Sequence, residues 1–168
     1  MSQPQTTQLP PFDAQARKHL SLTLMLLRAG IATVFLMWTI DKFVNPEHAA
    51  AVFTKFYKIP GLSETFAYLV GGVQLALVLA FLLGAFRKWT YGAILLLHAI
   101  STFSSWANYL APWTYPNLLF FAAIPMLFAC LGLWLLRDFD TYTIDACWKT
   151  ESANTGLSKA DTVIEAVT

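Results

Sequence analysis

Four stretches of this chain, Ser21 to Ile40, Leu62 to Phe86, Trp89 to Trp106 and Asn117 to Leu136, are long and apolar enough to cross a bilayer. A hydrocarbon core of about 30 Å takes about 20 mostly apolar residues to span. The third stretch is the shortest and is weakened by Ser101, Thr102, Ser104 and Ser105. Composition agrees with this pattern: 12% of the 168 residues are charged and 57% are hydrophobic, whereas soluble domains carry roughly a quarter charged residues. The chain therefore reads as all-α, an integral membrane four-helix bundle. It divides into an N-terminal tail over 1–20, a four-span domain over 21–136 and a C-terminal tail over 137–168.

A formal net charge of +1 leaves no basic or acidic surface of the kind that binds nucleic acid. Cys130 and Cys147 form no CxxC pair, which argues against thiol redox chemistry, and no His/Cys cluster has metal-ligand spacing. Haem held by two histidines within this chain is also unsupported, because His19 and His48 fall at opposite faces of the membrane and only His98 lies inside it.

Between the first two spans, Asn45 suits an N-cap, Pro46 a first helical position, and Ile59-Pro60-Gly61 a stop. Ala49, Val52, Phe53 and Phe56 recur at helical spacing, which predicts an amphipathic surface helix over about 46–58. It is a lid over the bundle, a gate to a lipid-facing pocket, or a docking surface. Ser158 and Asp161 suggest a further brief helix in the tail. Arg17, Lys18, Arg87, Lys88 and Arg137 flank one face, against Lys42, Lys55 and Lys58 on the other. The positive-inside bias places both termini in the cytoplasm.

Ionisable or strongly polar side chains at bilayer depth point to a site. Arg28, Gln74 and His98 qualify. Counted from the cytoplasmic span ends at 1.5 Å per residue, they lie roughly 10, 17 and 14 Å deep, a spread of about one helical turn. Such a cluster suits a quinone head group, with Arg28 or Gln74 polarising a carbonyl oxygen and His98 as the catalytic proton donor or acceptor. It equally suits a hydrogen-bonded knot that joins helices, and Arg28 has the length to snorkel. At the outer end of span one, Asp41 and Lys42 are further ligand-site candidates. Lys42 is placed to snorkel to headgroups, while Asp41 is placed to meet the surface helix or His48. Pro125 in the fourth span reads as a local kink.

Several of these residues also form a pattern. Arg28, Gly30, Phe35, Lys42 and Phe43 in span one, Ile59-Pro60-Gly61, Ala67-Tyr68-Leu69-Val70-Gly71-Gly72, and Leu83-Gly84 leading to Arg87 resemble the DoxX/DoxD family of small four-helix membrane proteins, over about Leu24 to Ala111. That resemblance implies a four-helix bundle and, for DoxD-like members, the quinone-interacting membrane subunit of a thiosulfate:quinone oxidoreductase. Gln74 stands where family members often place Glu.

These readings lead to a bacterial inner-membrane subunit of a redox complex that contacts lipid and the quinone pool, with Arg28, Gln74 and His98 as its pocket and any catalysis shared with a redox-protein partner. The rival is a non-catalytic membrane anchor or assembly subunit. A small-molecule permease comes third and requires an oligomer, since four spans enclose little room.

Overall fold

Asp13 opens the first helix. In the computed structural model, which describes residues 13–61 and 63–148, its side chain accepts a hydrogen bond from the Ala16 N–H at 2.6 Å. This satisfies one of the donors that a helix start leaves unpaired. Helix α1 (Ala14–Val44) therefore begins seven residues before the apolar run, and part of the expected tail is helical. The chain turns at Asn45 into α2 (Pro46–Tyr57), whose bounds match the expected surface helix to one residue. Next come α3 (Glu64–Leu83), α4 (Arg87–Ser104), the single turn α5 (Trp106–Tyr109), a 3-10 turn (Asn117–Ala122), α6 (Ala123–Leu135) and a short 3-10 turn (Arg137–Phe139). Among the described residues no strand occurs, and the chain is all-α. The brief helix expected near Ser158 lies outside the described residues.

Ser63 caps α3 through the Phe66 N–H at 3.3 Å. Gly84 ends that helix in the left-handed region at φ 68, a conformation open to glycine without steric cost. Pro125 does not kink a continuous helix as expected. It is the third residue of α6, and the turn before it is 3-10. In a first helical turn the missing N–H removes no intrahelical bond.

Helices α1, α3 and the Asn117–Leu135 segment are long and apolar enough to cross a membrane, and only 33%, 22% and 11% of their most apolar stretches turn inward. Leu26, Met37, Leu69, Val73, Leu119 and Phe128 stand exposed around them, a continuous apolar skin that water would not tolerate. The protein is a multi-pass membrane protein. The third expected span coincides with α4, whose 18 residues reach about 27 Å. Arg87, Lys88, Thr90, His98, Ser101, Thr102 and Ser104 make it the least apolar of the long helices.

The core brings together Leu24, Ile31, Ala32 and Phe35 of α1, Val78 and Phe81 of α3, Tyr91 and Ile94 of α4, and Cys130 and Leu133 of α6. Its register repeats every seven residues. One layer holds Arg28, whose guanidinium is 2.9 Å from the Tyr91 hydroxyl, and Phe81, whose ring meets Tyr91 at 5.1 Å. Seven residues along, Phe35 meets His98 at 6.1 Å. That second level lies about 10 Å from the first, at two helical turns. Above it, α2 lies across the bundle end with Ala49 buried, Phe53 against Phe66 at 6.4 Å and Phe56 against Phe120 at 5.8 Å.

Candidate functional site

The most concentrated chemistry lies at the end of the bundle opposite α2. Arg28 Nη1 donates to Asp140 Oδ2 at 2.6 Å and to the Tyr91 hydroxyl at 2.9 Å, and the Tyr91 hydroxyl donates to the same carboxylate oxygen at 2.7 Å. Arg28 Nη2 donates to the Tyr142 carbonyl. The Arg28 side chain is 5% exposed and that of Asp140 not at all. Two charges removed from water this completely are tolerable only when paired and hydrogen-bonded.

Asp140 belongs to a strap over 137–148 that folds back under the helix ends. Thr141 N–H donates to the Ser21 hydroxyl at 2.9 Å, and the two hydroxyls lie 2.7 Å apart. Arg87 Nη1 donates to the carbonyls of Arg137 and Asp140 at 2.7 and 2.6 Å. The Asp145 carboxylate accepts the Phe86 and Arg87 N–H groups, each at 2.9 Å, and lies 3.6 Å from Arg87 Nε. A carboxylate thus stands at the N-terminus of α4, where free amides and the helix dipole favour negative charge. Gly84 makes the approach of the strap possible, since a Cβ there would sit 2.5 Å from Thr143 Cγ2 and 2.9 Å from Arg28 Nη1.

The residues picked out from sequence separate into three places. Arg28 does not join Gln74 and His98, because the apolar boundaries used as a depth scale do not mark one plane. The helices are staggered, and Arg28 is level with Tyr91 near the start of α4. Of the other two, His98 places Nε2 3.0 Å from the Ala123 carbonyl, which assigns the proton to that nitrogen, and its own carbonyl accepts the Thr102 hydroxyl at 2.8 Å. Gln74 is half-buried, and its side chain makes no hydrogen bond among the described residues. At the far end, Asp41 meets His48 at 2.7 Å and Asn45 at 3.2 Å, while Lys42 turns its ammonium onto the Trp38 carbonyl at 2.9 Å.

Sequence reasoning missed Asp140, Tyr91 and the Arg87–Asp145 pair. It left both aspartates in the tail over 137–168, gave Tyr91 no role in a site and counted Arg87 toward the positive-inside bias. One signal was available: a lone arginine at bilayer depth calls for a counter-charge, and the nearest carboxylates beyond the last span are Asp138 and Asp140. Chemically, the arrangement is a clamp with its donors turned inward.

No curated protein and no solved structure matches the chain. The features that suggested DoxX/DoxD have structural explanations here: Gly71 packs against Phe43, Gly84 caps α3 beside Arg28, and Arg87 holds the strap. Each suits a compact helical bundle of any family. No DoxX model matches. Residues 20–112 instead match the model of methylamine utilisation protein MauE; this overturns the DoxX/DoxD expectation, and the chain belongs to the MauE family.

Proposed function

We propose that this chain is an integral-membrane accessory protein of a methylamine-utilisation system, serving a redox-protein partner rather than turning over a substrate itself. The family match supplies the biological setting. The observation that carries the accessory role is the buried Arg28–Asp140–Tyr91 knot, in which Asp140 Oδ2 takes both side-chain donors and Oδ1 has no partner among the described residues. The buried Arg28 donates to a tyrosine, an aspartate and a strap carbonyl, out of reach of water. A quinone head group would have to break that ion pair to reach Arg28, so the geometry favours helix joining over ligand holding.

The clustering of Arg87 and Arg137 at one end of the bundle, where Arg87 grips the Arg137 carbonyl, supports a bacterial inner-membrane orientation with both termini cytoplasmic. The surface helix α2 then faces the periplasm. It offers Glu47, Thr54, Lys55 and Lys58 on its water side to a partner.

The test is deletion of the gene followed by growth on methylamine, together with purification of the tagged chain in mild detergent from methylamine-grown cells. Loss of methylamine-dependent growth and recovery of a redox protein with the chain are expected. Normal growth of the deletion strain, or quinone reduction by the purified chain alone, would overturn the reading.

A further inference from the structure

α2 is tied to α1 through one residue, Asn45, whose backbone (φ −132, ψ 67) belongs to neither helix. Across this hinge, His48 in the first turn of α2 places Nδ1 2.7 Å from Asp41 Oδ2. Asn45 Nδ2 donates to the other carboxylate oxygen at 3.2 Å. The same imidazole stacks on the Trp38 indole, with centroids 6.3 Å apart and planes at 22°. The His48 side chain is 53% exposed, so protons reach it from water. The carboxylate favours a charged ring through a charge-assisted hydrogen bond, and the indole stacks beside it.

Other charges around the ring are few. Lys42 is engaged with the Trp38 carbonyl. Glu47 precedes His48 in the same exposed turn, and α3 brings Glu64 in its own first turn. Lys55 and Lys58 lie at the far end of α2. From Trp89 onward, α4 adds only His98, bonded to Ala123, and the 117–122 turn adds no charge.

We infer that the His48–Asp41 contact is a proton-strengthened latch that fixes α2 over the end of the bundle, held more tightly as the compartment facing α2 acidifies. Proton binding and latch closure favour one another by linkage. Histidine side chains as a class change charge between about pH 5 and pH 8, and the latched population is greater at the acidic end of that range. Loosening lifts Ala49, Phe53 and Phe56 from their seats against the helix ends. A partly exposed ion pair corresponds to about a twofold to fivefold change in the latched-to-open ratio.

The test is hydrogen–deuterium exchange on the full chain in nanodiscs of zwitterionic lipid at about pH 5.5 and about pH 8, toward the two ends of that range. Rates are normalised to intrinsic exchange, with α3 as internal reference. Protection over Pro46–Tyr57 is expected to be about twofold to fivefold greater at the acidic pH. Asp41→Asn keeps an acceptor but removes the charge, and should shrink the difference; His48→Gln should abolish it. In the unmodified chain, the imidazole nitrogen shifts of His48 should move in step with α2 protection. Equal protection at both pH values, a difference that survives both substitutions, or a protection change out of step with the imidazole titration would overturn the latch.

Discussion

Arg28 in α1 and Asp140 beyond α6 lie 112 positions apart in sequence, and their side chains meet at 2.6 Å with exposures of 5% and 0%. The pair closes the bundle at one end and decides where the chain goes after its last long helix. Breaking it from one side strands a buried charge. Asp140→Asn is expected to lose about 3–5 kcal/mol, read as a lowered unfolding temperature in detergent. Replacing both residues, Arg28→Met with Asp140→Leu, should recover most of that loss, since apolar side chains of similar volume substitute well for a buried ion pair.

Tyr91 is the third member of the knot, accepting from Arg28 and donating to Asp140. Tyr91→Phe keeps the ring packed against Phe81 and removes only the hydroxyl. A loss of about 1–3 kcal/mol follows from leaving buried polar groups short of a partner. The same thermal measurement checks it, and the effect should largely vanish when Arg28 and Asp140 are already replaced.

Gly84 answers two demands at once, a left-handed backbone at φ 68 and contact with Thr143 and Arg28. In Gly84→Ala the new methyl group falls 2.5 Å from Thr143 Cγ2, so the strap has to move. A destabilisation of about 2 kcal/mol or more is expected from strain and overpacking together. Thr143→Gly in the same chain should return part of it.

Asp145 caps α4 from a distance of 58 residues or more along the chain. Asp145→Ala removes the acceptor for the Phe86 and Arg87 amides and should cost about 1–2 kcal/mol, as loss of an N-cap does. Faster hydrogen exchange confined to the first turn of α4 would show it. Uniform acceleration through the whole helix would show that Asp145 does something else.

Local patterns in the sequence were faithful guides to local structure. The apolar runs located the long helices, and Asn45-Pro46 with the spacing of Ala49, Phe53 and Phe56 located α2 almost to the residue. Helix ends drifted because caps, not hydropathy, set them: Asp13 extends α1 well past its apolar part. Pro125 reads as a kink in sequence because a missing N–H looks alike whether it falls within a helix or at its start. The meeting of Asp41 with His48 was among the alternatives that spacing allowed. The buried knot was not legible, because Asp140 and Asp145 follow the last span in a polar stretch and only the fold-back of the strap takes them out of water. Depth arithmetic failed for Arg28 for a related reason, since stagger between helices is a property of their packing.

On the proposed accessory role, the buried charges hold the bundle together and take no part in chemistry. The most direct test complements a deletion strain with Arg28→Lys, Asp140→Asn and the Arg28→Met/Asp140→Leu pair, and measures methylamine-dependent growth against the amount of folded chain in the membrane. Growth is predicted to follow that amount along a single line for every variant, with the paired substitution near the unmodified protein. A variant present at full level in the membrane yet unable to support growth would contradict it.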